Sequence, residues 1–191
     1  MKNQILILTL GISLISIENY AQHHGHGNMQ KDNQHPMTML FEAPELFQEQ
    51  LSIVVKETQN LKEAFIASDL IKIKSHIPGI EEALNNVDMN LLKGDAHMHW
   101  MNDLKSLSES LTVIKSAESL KEQRLAFGSF NEGLYKSIKA YGINGNTVYY
   151  QFCPMAKDGE GAYWLSQSEQ IRNPYYGTAM LTCGSTKEIL N

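Results

Sequence analysis

Cysteine is scarce in this chain. Among its 191 residues only Cys153 and Cys183 carry a thiol, and no Cys-x-x-Cys pair occurs. A nucleophile elbow and a phosphate-binding glycine loop are missing too, so the usual signatures of thiol, serine and nucleotide enzymes are absent. Cationic surplus is also lacking: 16 Lys and Arg face 21 Asp and Glu, a formal net charge of −5. A mildly acidic chain has no electrostatic footprint for nucleic acid and no polybasic patch for anionic lipid. After Ile17 no apolar stretch is long enough to cross a bilayer, which takes about 20 residues as a helix.

The apolar run that is present lies at the start. Lys2 supplies a short positive region, and Ile5 to Ile17 is apolar apart from Thr9, Gly11, Ser13 and Ser16. It is too short for a span and ends at Asn19-Tyr-Ala21, a small-residue cleavage site. Residues 1–21 therefore read as a secretory signal peptide, and the mature protein is expected in the periplasm. No cysteine follows the run, which excludes lipid attachment there. In an oxidising compartment two cysteines usually mean one disulfide.

Residues 22–43 are polar and poor in core residues, and four of the seven histidines (His23, His24, His26, His35) lie there with Met29, Met37 and Met39. This composition predicts a disordered linker that chelates metal loosely. Residues 44–141 carry a helical pattern. Phe47, Leu51, Val54, Thr58, Leu61 and Phe65 recur at spacings of three and four after Pro44, which suits a first helical position. Asp69 is a candidate N-cap for a second helix, which Pro78 is expected to kink or split. A third helix from Asp95 carries Trp100, Leu104, Leu107, Leu111 and Ile114. A fourth follows the capping box Ser119-Leu-Lys-Glu122 and ends at Gly142. The expected fold is mainly α: an antiparallel four-helix bundle, with residues 142–191 as a small irregular or β segment packed on it. In that segment Thr147 to Phe152 reads as a strand, and Ala162 to Leu165 as a second short one.

Sulfur concentrates in the same segment. Cys153 and Met155 would face one side if the strand continues, and Met180 and Cys183 are one turn step apart. Thiolates and thioethers are soft ligands that favour Cu(I) over Mg²⁺ or Ca²⁺. His97 shares the apolar seam of the third helix with Trp100 and Met101, whereas His99 is rotated off it. In an up-down bundle the start of the third helix and the end of the fourth lie together. The expected metal site is therefore Cys153, Met155, Met180, Cys183 and His97, converging at one end.

The runs Tyr150-Gln-Phe-Cys-Pro-Met-Ala156, Gly161-Ala-Tyr-Trp-Leu-Ser166, Ile171-Arg-Asn-Pro-Tyr-Tyr-Gly177 and Met180-Leu-Thr-Cys-Gly184 resemble a bacterial periplasmic family of unknown function. Val87 to Leu92 and Gly94-Asp-Ala-His97 with Trp100 resemble it as well. The resemblance spans about residues 45–188. Similar domains stand alone or are fused to the periplasmic adaptors of copper/silver efflux pumps. The resemblance implies a helical bundle closed by the Cys- and Met-bearing segment, heavy-metal handling and no enzymatic activity. The expected function is Cu(I) binding, with copper buffered or handed to an efflux system through such an adaptor. The alternative is a disulfide-stapled periplasmic interaction domain without metal, using Tyr163, Trp164, Tyr175 and Tyr176 as exposed anchors.

Overall fold

Residues 40–145 and 147–191 are described by a computed structural model of the chain. The expected signal peptide and nearly all of the His/Met-rich linker lie outside these residues. Four helices come first: α1 (Glu45–Ile66), α2 (Leu70–Asn85), α3 (Gly94–Ser116) and α4 (Leu120–Tyr141). Three strands follow: β1 (Val148–Cys153), β2 (Ala162–Ser166) and β3 (Ser185–Leu190). They form one antiparallel sheet in the order β2-β1-β3. The described residues all fall in one compact unit, so the C-terminal segment is not separate from the helices.

The helix ends follow local chemistry. The Asp69 carboxylate accepts from the backbone N–H of Ile71 and Lys72, and the Ser119 hydroxyl accepts from Glu122 N–H. Each satisfies donors that the first turn leaves open. Pro44 is the residue just before α1 rather than its first helical residue. Pro78 does not split α2, which runs unbroken from Leu70 to Asn85. Its ring lies on the exposed side. There, water can take up the carbonyl one turn earlier that proline leaves without a partner.

The periodic apolar positions are the core. All six α1 seam residues, Phe47 to Phe65, are fully buried, as are Phe127, Phe130, Leu134, Ile138 and Tyr141 on α4. Each buried Phe, Leu, Val or Ile side chain among them contributes about 1.5–3 kcal/mol by leaving water. Each helix contacts the next, and α4 also contacts α1. The Tyr141 hydroxyl donates to the Ala96 carbonyl (2.9 Å), so the end of α4 lies against the start of α3.

The sheet covers α4. Tyr150 of β1 stacks on Tyr135 of α4 with ring centres 3.8 Å apart, and Tyr163 of β2 continues the column at 4.6 Å. The Leu165 N–H donates to the Asn131 carboxamide (2.9 Å). Lys62 of α1, buried and with its pKa lowered by desolvation, donates to Ser166 Oγ at 3.0 Å. The third strand, β3, was not among the expected elements. It is an edge strand, pairing only with β1 across a register shift at Tyr150/Gln151. Glu188 ties it to α4: its carboxylate accepts from the Tyr135 hydroxyl and from Lys139 Nζ, both at 2.6 Å.

The Glu188 pair gives stability a pH dependence. Burial alone would raise the Glu188 pKa, but the bonds from Lys139 and Tyr135 outweigh it and hold it below the ordinary value. A depressed carboxylate stabilises the fold above its unfolded pKa, near 4.3 for glutamate, and that contribution fades as pH falls through the folded value. Glu188→Gln is expected to cost about 1 kcal/mol at pH 7, since the pair is partly solvated. Urea unfolding at pH 7 and pH 3 should show the gap between wild type and variant closing at the lower pH.

Candidate functional site

Two thiols from separate segments meet beneath the sheet. Cys153 is the last residue of β1 and is fully buried. Alternation along β1 sends Tyr150 and Phe152 toward the α4 side, and Gln151 and Cys153 to the opposite face. Residues 167–184 cover that face. The Gln151 carboxamide donates to the Ser168 and Glu169 carbonyls, both at 3.1 Å. Cys183 lies at the end of this covering segment, with its Sγ 2.9 Å from Cys153 Sγ. Both are free thiols.

The Asn173-Pro-Tyr-Tyr-Gly177 run holds the covering segment in place. Asn173 is fully buried, and its carboxamide accepts from Tyr175 N–H (2.8 Å) and donates to the Cys183 carbonyl (3.0 Å). Its backbone N–H donates to the Leu181 carbonyl at 2.8 Å. The Pro174 carbonyl accepts from Arg124 Nε at 3.0 Å. The Tyr175 hydroxyl donates to the Tyr163 carbonyl, and the Tyr176 hydroxyl to that of Met155. Gly177 has φ +54°, and a Cβ there would sit 2.4 Å from the Ile66 carbonyl oxygen. Gly184 lies so close to the sheet that a Cβ would come within 2.8 Å of the Phe152 carbonyl. Only glycine permits either approach.

The electrostatics follow from the contact. The thiol–thiol hydrogen bond with Cys153, then burial, then the Cys153 charge push the Cys183 pKa up, while the Met155 backbone N–H pulls it down. Cys183 therefore rests protonated at neutral pH. Met155 and Met180 flank it. The Met155 N–H bonds the Cys183 sulfur, and the Met180 carbonyl accepts from Cys183 N–H at 3.1 Å. Their side chains are 52% and 37% exposed.

His97 is not brought to this pair. It lies in the first turn of α3, where its Nδ1 is 2.9 Å from the Met89 carbonyl. That region adjoins Tyr141 at the end of α4, whereas Tyr175, beside the thiol end, packs on Phe127. At 1.5 Å per residue, Phe127 and Tyr141 are about 20 Å apart along the helix. The segment after Gly142 does start beside α3, but β1 then runs back along α4 and carries Cys153 away. Met101, expected on the apolar seam, is 45% exposed, because the buried stripe centres on Trp100, Leu107 and Leu111. Trp164 and Tyr175, considered above as exposed anchors, are buried. Among the described residues no three His, Cys, Asp or Glu side chains gather to hold an ion.

Comparison with known proteins adds one match. A family described as a protein of unknown function (DUF3347) matches residues 54–146. That is just under half of the chain, taking in the helices from within α1 onward and stopping before β1 and both cysteines. No curated protein and no solved structure matches.

The thiol geometry sets reactivity. In the folded protein Cys183 should react with iodoacetamide at pH 8 at least tenfold more slowly than glutathione, and Cys153 not detectably. Cys153→Ala removes the raising partner and should speed Cys183 alkylation. Mass spectrometry of timed samples would check both.

Proposed function

We propose that the chain is an exported, periplasmic protein that binds Cu(I) through Cys153 and Cys183, with Met155 and Met180 as thioether donors beside them. It buffers copper or hands it to an efflux system, with a periplasmic efflux adaptor as the partner and no enzymatic step. On this reading residues 1–21 are the leader and 22–43 a loose chelating linker. The four helices are taken as an antiparallel bundle, the scaffold under the sulfur-bearing segment.

The observation that carries the reading is the 2.9 Å approach of two thiols from separate segments, with an exposed methionine bonded through its backbone to Cys183 on each side. A cation bridging two sulfurs at ~2.3 Å each, near tetrahedral angles, would hold them roughly 3.8 Å apart. The pair need open by only about 1 Å, within the reach of a loop. Soft donors of this kind select Cu(I) over hard divalent ions. Thiols must lose their protons to bind, so affinity rises with pH and uptake releases protons.

The disulfide-stapled interaction domain uses the same sulfurs. Closing the 30-residue separation would contribute roughly 3–4 kcal/mol in the chain-entropy model. A staple gives no role to Met155 and Met180, and two of its four aromatic anchors are buried. The thiol and disulfide forms would make metal binding depend on redox state.

Titrating the reduced protein with Cu(I) against a competing chelator separates the readings. Cys153→Ser and Cys183→Ser should each weaken binding at least a hundredfold, and Met155→Leu or Met180→Leu about tenfold. Equal affinity in the wild type and the double cysteine variant would favour the stapled domain.

A further inference from the structure

We infer that His97, Met98 and Met101 form a second soft-cation site at the start of α3, distinct from the thiol pair. The inference does not rest on copper binding at the cysteines.

The imidazole is already set for the task. A carbonyl oxygen can only accept, so the 2.9 Å contact with the Met89 carbonyl requires the proton on Nδ1 of His97. In the neutral ring the lone pair is then on Nε2, which makes no hydrogen bond among the described residues. Metal-binding histidines commonly have this arrangement, one ring N–H anchored on a carbonyl and the other nitrogen free. The neighbouring histidine differs. His99 Nδ1 is 3.1 Å from the Tyr141 hydroxyl and 3.3 Å from the Asp103 carboxylate, within a ring cluster with Phe41 and Tyr141.

The thioethers share the arc of His97. Met101 is one turn on from His97, and Met98 is three residues before Met101, so Met101 lies between the other two on the helix surface. Trp100, fully buried against Phe47 and Tyr141, fixes the rotation of the helix. Met98 and Met101 consequently face out, 58% and 45% exposed. Further along the helix the same arc passes through Lys105, so α3 places no carboxylate on it. One imidazole nitrogen and two flexible thioethers suit a soft monovalent ion such as Cu(I) or Ag(I), and offer Mg²⁺ or Ca²⁺ no oxygen. With no thiolate, this site binds more weakly than a dithiolate and exchanges faster.

The test uses Ag(I) and the full chain labelled with ¹³C at the methionine methyls, as wild type and as the C153S/C183S double variant. The methyl signals of Met98 and Met101 are expected to shift saturably in both proteins. His97→Asn keeps a donor for the Met89 carbonyl but removes the Nε2 lone pair. It should weaken the response of Met98 and Met101 at least tenfold while Met29, Met37 and Met39 respond as before. Met101→Leu, a change at a half-exposed position, should weaken the Met98 shift similarly. Unmoved Met98 and Met101 signals at Ag(I) levels that shift the other methionines would overturn the site, as would equal shifts in His97→Asn. Because the double variant lacks the thiol pair, failure here leaves that reading standing, and loss of the thiol site leaves this one measurable.

Discussion

A single buried carboxamide organises the C-terminal third of the molecule. Asn173 has no solvent exposure, and within ten residues it contacts both ends of the segment that delivers Cys183. A buried amide must satisfy its donors and its acceptor or incur a desolvation cost of about 1–3 kcal/mol. Asn173 does so by accepting from Tyr175 N–H and donating to the Cys183 carbonyl, with its own N–H on Leu181. Those bonds curl residues 173–183 into a loop whose end places one sulfur beside the last residue of β1. The tyrosines then pin the loop outward, Tyr175 to the β2 backbone and Tyr176 to the turn after Cys153.

The second constraint is the aromatic column. Tyr135, Tyr150 and Tyr163 stack in sequence, with Phe152 tilted against Tyr163 at 4.4 Å. Burial and the Glu188 carboxylate push the Tyr135 hydroxyl up to about 12, so it stays a neutral donor at any physiological pH. The column fixes β1 lengthwise along α4, and that direction decides which residues meet. Running back along the helix, the strand takes Cys153 toward Phe127 and leaves His97 with the aromatic cluster around Tyr141. One expected five-residue centre becomes two chemically different places, a dithiol with flanking thioethers and an imidazole with thioethers of its own.

Local chemistry carried the helices. Asp69 and Ser119 cap because a side-chain oxygen within reach of open N–H groups favours a helix start wherever it stands, and the three-and-four spacing from Phe47 to Phe65 admits one buried face. The strands from Val148 and Ala162 were legible through β-branched and aromatic residues. The strand from Ser185 to Leu190 was not, because an edge strand borrows its order from its neighbour and its own sequence is mostly polar. The Asn173-Pro-Tyr-Tyr-Gly177 run stood out as a motif, but its role as a clamp depends on carbonyls from Phe65 to Cys183 that no local pattern reveals.

By itself the sequence determined the four helices, their inward faces, two of the three strands and the sulfur-rich segment, since each depends on residues within a few positions of one another. Only the tertiary structure decided that Cys153 and Cys183 touch, that His97 stands about 20 Å along α4 from them, and that Met101 turns outward. Those outcomes depend on the direction of β1 and the rotation of α3. Both are fixed by contacts between distant residues, Tyr150 on Tyr135 and Trp100 against Phe47 and Tyr141, whose pairing is set by packing rather than by spacing along the chain.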